Sequence, residues 1–362
     1  MKKMIAMLLA LAMVLALAGC AGTTVVVGNC TCPPDAHEPA QTPTEAPAPN
    51  TEAPAEGGAA ALRTGLAVIA GAAESKSAEG ENNGEAKYDV TVAAVTVDEN
   101  GVIRDCVIDS IGTSVAFDAA GLLVDFDPAA AVLTKTELGD AYGMKAYAGA
   151  KYEWYEQAQA LADFAVGKTV EQLKSGIAGG YASDADLATT ATIYLGGYVA
   201  AIEKAVNNAR HLGAQAGDTL KLASISSIAS SKNAEADQEG TAQLDTDVVA
   251  LTMNGDTITS CYIDSLQAKV SFSATAEITS DLTAFATKNE LGENYGMKAW
   301  GGAKYEWNEQ AANFAAYVTG KTAAEVAGIA VTETTAPADS DLSATVTIAI
   351  GGFQALIAKA VK

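Results

Sequence analysis

Apolar and polar positions follow the same order of patterns in two parts of the chain. In both parts an alternating, β-branched run comes first, at residues 66–72 and 220–228, and predicts a strand. Two more apolar runs are joined by a short polar turn, and Asn254-Gly255 is a strong hairpin signal because both residues tolerate positive φ. The predicted hairpin and third strands cover residues 90–97, 102–108 and 114–117 in the first part and 248–253, 257–263 and 269–272 in the second.

A helical period replaces the alternation after these strands. Apolar residues recur there at spacings of three, four and seven, which predicts one long helix with a single apolar face towards the sheet. Gly167 and Gly320 are placed to end this helix in the left-handed region, and Thr169-x-x-Gln172 is a capping box that begins a short new helix. The apolar positions are Met144, Tyr147, Trp154, Ala158, Leu161 and Ala165 in the first part and Met297, Trp300, Trp307, Ala311, Phe314 and Val318 in the second.

A period of two returns near the end of each part. Residues 187–195 and 342–350 alternate between apolar and polar side chains and predict a half-buried strand. A Gly-Gly pair interrupts each run, and a final helix follows at residues 198–208 and 353–361. The fold class predicted from these elements is α+β, in which each part is a small antiparallel sheet packed against a long helix plus a C-terminal helix.

The two parts are copies of each other. Residues 138–169 return as residues 291–322, with Y-G-M-K-A, G-A-K-Y-E-W and G-K-T in both. Copies of this length fit two globular domains better than the units of a solenoid. We therefore predict repeat domain 1 at residues 61–209, a joint at residues 210–216 and repeat domain 2 at residues 217–362.

The beginning of the chain predicts export and a membrane anchor. Residues 1–19 combine a basic start, an apolar run and small residues, which is typical of a signal peptide. Their end, Leu17-Ala18-Gly19-Cys20, resembles the lipobox of bacterial lipoproteins, which implies cleavage before Cys20 and a lipid on its sulfur. Residues 20–60 are rich in Ala, Pro and Thr and predict a disordered tether. The expected location is the extracellular face of the cytoplasmic membrane, which the chain contacts through the lipid on Cys20.

Composition and charge exclude several classes of function. The net charge of −22 repels nucleic acid, so we expect no nucleic-acid partner. The two histidines, His37 and His211, lie in the tether and the joint, so neither repeat contains a histidine for nucleophilic catalysis or a zinc site. The Asp184-x-Asp186 pair and its copy fit turns better than a calcium loop. We predict no catalytic residue and no metal.

The cysteines predict no disulfide framework. Cys30 and Cys32 lie close to the expected lipid attachment point, in the tether. Cys106 and Cys261 occupy equivalent strand positions in the two repeats, where a small buried thiol is the expected state.

A set of polar residues is present in both copies of the helical stretch. Lys151 and Lys304 are unusual because they fall inside the predicted apolar stripe. Such a lysine either reaches past the aromatic rings to water or presents a cation in a partly apolar groove, where it would suit a carboxylate or a phosphate. The predicted ligand-binding residues are Tyr142, Lys145, Lys151, Tyr295, Lys298 and Lys304.

The sequence as a whole resembles tandem-repeat surface lipoproteins of Gram-positive anaerobes, a family without an assigned function. The residues that carry the resemblance are the lipobox, V-A-A-V-T-V-D-E-N-G-V-I, L-G-D-A-Y-G-M-K-A, E-W-Y-E-Q-A and G-K-T. Together they extend over nearly the whole mature chain.

A second similarity is to the FMN-binding domains of extracellular electron-transfer lipoproteins. Those domains carry S-G-A-T before a helix, with the threonine esterified to the flavin phosphate. Thr189-Thr190-Ala191-Thr192 and Ala344-Thr345-Val346-Thr347 occupy the corresponding place, so the resemblance implies Thr192 and Thr347 as flavin attachment points. The glycine of the motif is missing, and the alternating pattern predicts a strand rather than a loop at both threonines.

Three functional hypotheses follow from the sequence. The first is a non-catalytic ligand-binding or interaction module that needs no cofactor and recognises a small molecule or an envelope protein. The alternative is a flavinylated electron-transfer lipoprotein with FMN as its cofactor. The third is a structural spacer of the envelope.

Overall fold

The computed structural model describes residues 59–283 and 285–362. The predicted signal peptide, the lipid attachment at Cys20, almost all of the predicted tether, Cys30, Cys32 and His37 lie outside the described residues. No helix within the two described ranges is long and apolar enough to cross a membrane.

The fold is mixed α+β with antiparallel sheets, as the patterns predict. In the first repeat, strands β1 (Arg63–Gly71), β2 (Gly84–Val97), β3 (Ile103–Phe117) and β4 (Leu123–Val124) pair in that order. In the second, strands β7 (Thr219–Ser227), β8 (Gly240–Asn254) and β9 (Thr257–Phe272) do the same. The predicted hairpin turns are confirmed, with Gly101 at φ 76° and Gly255 at φ 57°.

The prediction of a separate third strand is wrong in both repeats. Residues 103–108 and 114–117 belong to the single strand β3, which begins one residue after the predicted start, and residues 257–263 and 269–272 belong to the single strand β9. The polar residues between the predicted strands do not end the ladder. Ser110 is buried, and Thr91 pairs with it across the sheet.

Both faces of each sheet are covered, which explains why the central strands are apolar on both sides. The inner faces of the two sheets pack on each other in one shared core, where the rings of Phe117 and Phe272 stack with centroids 4.0 Å apart. The hydroxyl of Tyr88 in the first repeat donates to the carbonyl oxygen of Ala242 in the second at 2.7 Å. The outer faces pack on helices in a separate core for each repeat. Residues 59–283 and 285–362 thus form one compact unit with helix, sheet, sheet and helix layers.

The predicted long helix is broken in both repeats. The first repeat has helix α1 (Lys135–Leu138), a 3-10 turn (Gly139–Tyr142), helix α2 (Met144–Ala148) and helix α3 (Trp154–Ala165). The breaks come at Gly143 and Gly149, which adopt φ values of 82° and 64° that end a right-handed helix. The second repeat has the same order in α6 (Lys288–Leu291), a 3-10 turn (Gly292–Tyr295), α7 (Met297–Gly301) and α8 (Trp307–Val318).

Because the helix is broken, the predicted apolar stripe is right only in its later part. Its later members, from Trp154 and Trp307 onwards, are buried against the sheets as expected. Tyr147 and Trp300 lie before the break, and they are 89% and 88% exposed. They point into solvent because α2 and α7 do not continue the axes of α3 and α8.

The signals after these helices are confirmed. Gly167 and Gly320 adopt φ values of 81° and 85°, and the capping box at Thr169 begins helix α4 (Val170–Ser175). The equivalent helix in the second repeat is α9 (Ala323–Ala327). A two-residue hairpin of β5 (Ile177–Ala178) and β6 (Tyr181–Ala182) follows α4.

The strands predicted at residues 187–195 and 342–350 are not formed. A 3-10 turn (Leu187–Thr189) and helix α10 (Ser340–Ser343) occupy the start of these runs, followed by loops. Asp184 and Asp339 cause the change, because the Oδ1 of each accepts hydrogen bonds from two backbone N–H groups and caps a turn. The final helices are confirmed as α5 (Gly196–Asn207) and α11 (Gly351–Ala360).

Candidate functional site

The most exposed large aromatic residues form equivalent tips on the two repeats. Tyr147 on α2 and Trp300 on α7 are 89% and 88% exposed. Each ring lies against a glycine one turn earlier, and a Cβ on Gly143 or Gly296 would overlap the ring. The left-handed glycine therefore starts the short helix and also makes room for the ring.

A buried carboxylate fixes each tip to the helix behind it. Glu153 is 2% exposed, and its carboxylate accepts the backbone N–H groups of Met144 at 2.8 Å and Lys145 at 3.0 Å. Glu306 does the same for Met297 at 2.8 Å and Lys298 at 2.9 Å. The same carboxylates cap α3 and α8, so each joins the start of a short helix to the start of a long one. Two hydrogen bonds therefore hold the backbone at the start of each tip, while the ring is exposed to solvent.

The predicted site lysines on α2 and α7 are ion-paired. Lys145 lies 2.9 Å from Glu156, and Lys298 lies 2.9 Å from Glu309. The hydrogen bond and the charge of each carboxylate raise the lysine pKa. Both pairs are exposed and stabilise the fold little. Their consequence is a mixed-charge rim next to each aromatic tip.

The other two predicted lysines lie apart from the buried part of the aromatic stripe. The Nζ of Lys151 lies over the ring of Tyr152, 4.8 Å from its centroid, and Lys304 lies over Tyr305 at the same distance. Lys151 and Lys304 are exposed in the loops between the short and long helices. The hydrogen bond from Lys151 lowers the pKa of the Tyr152 hydroxyl.

Tyr142 and Tyr295 contact lysines that the sequence patterns did not single out. The Nζ of Lys135 lies between the rings of Tyr142, at 5.3 Å, and Trp154, at 5.5 Å. In the second repeat, Lys288 occupies the same position between Tyr295 and the buried tryptophan of α8. The duplicated T-K-x-E-L-G before each tip was the available signal.

Each repeat has a groove between its long strand and its long helix. Groove one lies between β3 and α3 and has a volume of about 370 Å³. Groove two lies between β9, α8 and the joint and has a volume of about 500 Å³. Asp109 lines groove one, and the backbone N–H and hydroxyl of Thr136 donate to its carboxylate. Its equivalent Asp264 is buried in the strand next to groove two, and burial raises its pKa to about 6.

The two threonines of the flavin hypothesis lie in exposed loops that immediately precede helices α5 and α11. The buried amide oxygen of Gln157 accepts hydrogen bonds from the backbone N–H and the hydroxyl of Thr192 at 2.8 and 3.1 Å. Gln310 makes the same two bonds to Thr347 at 2.8 and 3.1 Å. The strand predicted at these residues is therefore replaced by a glutamine-fixed loop in both repeats.

The two strand cysteines are free and buried, as predicted. Cys106 lies in the outer core of the first repeat and Cys261 in that of the second. Burial raises the pKa of both thiols. Residues 59–283 and 285–362 contain no cluster of histidine, cysteine or carboxylate groups that is arranged to hold a metal ion.

Comparison of the chain with protein-family models, with curated proteins and with solved structures returns no match. The geometry of the tips, the grooves and the threonine loops is thus the basis for assigning a function.

Proposed function

We propose that the protein is a lipid-anchored, extracellular interaction module that contacts a component of the cell envelope through its two aromatic tips. The anchor is the lipid predicted on Cys20, and residues 20–60 act as the tether. The described part of the chain is built from two homologous copies of one α+β domain, and each copy contributes one tip. The module acts by binding and carries out no catalysis.

The observation that carries this proposal is the exposure of Tyr147 and Trp300. Burying one large apolar side chain contributes about 1.5 to 3 kcal/mol, and the folded chain leaves this contribution unused at both tips. Tyrosine and tryptophan are also the residues most enriched at the energetic centres of protein interfaces. Because Glu153 and Glu306 already fix the tips, binding costs little additional ordering of the backbone.

The predicted site residues border these tips. Lys145 and Lys298 place a lysine–glutamate pair next to each aromatic ring, and Lys151 and Lys304 lie in the loop that follows. A polar rim around an aromatic centre is the usual arrangement of a binding surface. The acidic charge of the rest of the chain directs such a surface towards neutral or cationic partners.

The test is sedimentation of the full chain with envelope fractions of its own host. We expect the double variant Tyr147→Ala and Trp300→Ala to lose at least tenfold in affinity for the fraction that binds the wild type, because two central aromatic contacts are removed. The matched control is Tyr194→Ala, which removes a tyrosine that is 57% exposed and is replaced by Ala349 in the second repeat. Equal binding of the double variant and the control would reject the proposal.

A second candidate is a flavin-carrying electron-transfer protein, and one observation favours it. The sequence pattern predicts strands at Thr192 and Thr347, whereas both are exposed in loops that open helices. Such a loop is the setting in which the resembling domains carry their flavin. Co-expression with a flavin transferase would then give a yellow protein with increased mass, and Thr192→Ala with Thr347→Ala would abolish the increase. Colourless protein of unmodified mass would exclude this candidate.

A further inference from the structure

The two grooves are formed by copies of the same sequence, but groove two differs from groove one in its lining residues and its volume. Tyr155 of groove one is replaced by Asn308, and Gln159 by Ala312, so the larger side chains are lost. The joint adds Arg210, His211 and Leu212 to the lining of groove two only. The volume increases from about 370 to about 500 Å³. Groove two is within the size range of small-molecule sites.

Arg210 supplies a positive charge to this groove. Its guanidinium lies over the ring of Tyr262, 5.2 Å from the centroid. None of the ion pairs between residues of the described ranges includes Arg210. A planar guanidinium held on an aromatic ring is suited to bind a carboxylate.

Asn308 supplies an unused hydrogen-bond acceptor. Its Oδ1 is buried and has no hydrogen-bond partner among the described residues. The equivalent Tyr155 in groove one is satisfied, because its hydroxyl donates to Asp140 at 3.1 Å. An unpaired buried polar atom costs about 1 to 3 kcal/mol. Rotation of the amide towards the groove would let a ligand donate to this oxygen and recover the cost. The groove thus presents one anion-binding group and one unused acceptor, and the one carboxylate in its lining, that of Glu309, is paired with Lys298.

The remainder of the lining determines the shape of the ligand. Ala312, Ala315 and Ala316 form a smooth apolar strip on α8, and Ile263 and Leu212 add aliphatic contacts. Side chains this small leave room for a flat body rather than a branched one. Arg210, the alanine strip and Asn308 each match a different part of one small molecule.

We propose that groove two binds a small organic acid with a flat apolar body and a hydroxyl or N–H donor away from its carboxylate. Arg210 binds the carboxylate, the alanine strip contacts the body, and Asn308 accepts the donor. A hydroxyl can also accept from the Nδ2 of the same amide. This site shares Glu309 with the rim of the second tip but does not include Trp300, so binding of the acid can be measured apart from the proposed envelope contact.

The test is calorimetric titration of the full chain with 4-hydroxyphenylacetate, which has all three features. We expect phenylacetate, which lacks the hydroxyl, to bind about threefold to tenfold more weakly, as for the loss of one neutral hydrogen bond. We expect 2-(4-hydroxyphenyl)ethanol, which lacks the charge, to bind at least tenfold more weakly, as for the loss of a charge-assisted bond. The absence of binding by 4-hydroxyphenylacetate, or equal binding of the acid and the alcohol, would overturn the proposal.

Variants locate the site. Arg210→Gln is expected to weaken binding of the acid at least tenfold and to leave binding of the alcohol unchanged. Arg104→Gln makes the same charge change elsewhere and is expected to leave both affinities unchanged. Asn308→Tyr restores the residue of groove one and is expected to abolish binding of the acid. Tyr155→Asn is the matched control in groove one and leaves the affinity unchanged. Full binding by Asn308→Tyr, with wild-type thermal unfolding, would contradict the assignment.

Discussion

Replacing Asp264 by asparagine is expected to stabilise the protein at neutral pH. Asp264 is 6% exposed in strand β9. Its Oδ1 accepts the backbone N–H of Ser265 at 2.8 Å and that of Asn289 at 3.2 Å. Burial raises the pKa from 3.8 to about 6, although hydrogen bonds from Thr287, Ser265 and Asn289 oppose the rise. An asparagine keeps an oxygen acceptor for both N–H groups and carries no charge to desolvate.

The direction of the pH effect follows from proton binding. Between pH 3.8 and about 6, the folded protein holds a proton on Asp264 that the unfolded chain has lost. The free energy of unfolding contributed by Asp264 is therefore greatest below this interval, falls as the pH rises through it, and is constant above it. Each tenfold change in proton affinity corresponds to about 1.4 kcal/mol, so ionising the buried carboxyl costs on the order of 3 kcal/mol.

The assay is urea unfolding of wild type and Asp264→Asn at several pH values from 4 to 8. The stability difference between the two is expected to be near zero at the acidic end and to increase to roughly 2 to 3 kcal/mol in favour of the variant at the neutral end. The control is Asp281→Asn, because hydrogen bonds from Thr283 lower the pKa of that exposed carboxyl. A stability difference between Asp264→Asn and wild type that is the same at every pH would show that burial does not raise the pKa of Asp264.

Three further predictions concern the tips and the packing. Gly65→Ala places a Cβ against the backbone of α5 and should lower the free energy of unfolding by about 2 kcal/mol or more in urea melts, whereas Gly71→Ala, with open space, should change it little. Glu306→Ala removes the acceptor of the first two N–H groups of α7, and hydrogen exchange of these amides should accelerate about tenfold, whereas alanine at the exposed Glu293 should leave it unchanged. Residues 217–362 expressed alone should fold and pair as a dimer, because the inner face of their sheet is otherwise covered by the first repeat; a stable monomer by light scattering would contradict this.

The elements that could be predicted from the sequence are those specified by local chemistry. The hairpin turn at Asn254-Gly255, the helix end at Gly167 and the capping box at Thr169 all form because neighbouring residues satisfy the backbone. The α+β class follows from the change of hydrophobic period. These features do not depend on how the two repeats pack.

The features that could not be predicted depend on contacts between distant residues. Residues 187–195 alternate as a strand would, but Gln157 takes up the amides of Thr192 and Ile193 and holds a loop. Tyr147 fits a helical stripe, but the left-handed Gly149 turns the chain before the stripe continues. The spacing of apolar residues by three and four does not show where a helix is interrupted. The shared core of the two sheets is likewise invisible in one repeat read alone.

The fluorescence of Trp300 in the presence of the envelope fraction that binds the full chain shows directly whether the tips make the contact. Trp154 and Trp307 are buried, with 2% and 5% of their surface exposed. The difference in fluorescence between wild type and Trp300→Phe therefore comes from the exposed tryptophan at the tip. We predict that acrylamide quenches this difference signal strongly in the free protein and weakly in the bound protein. Bound protein in which Trp300 is quenched as strongly as in the free state would contradict the claim that the tips make the contact.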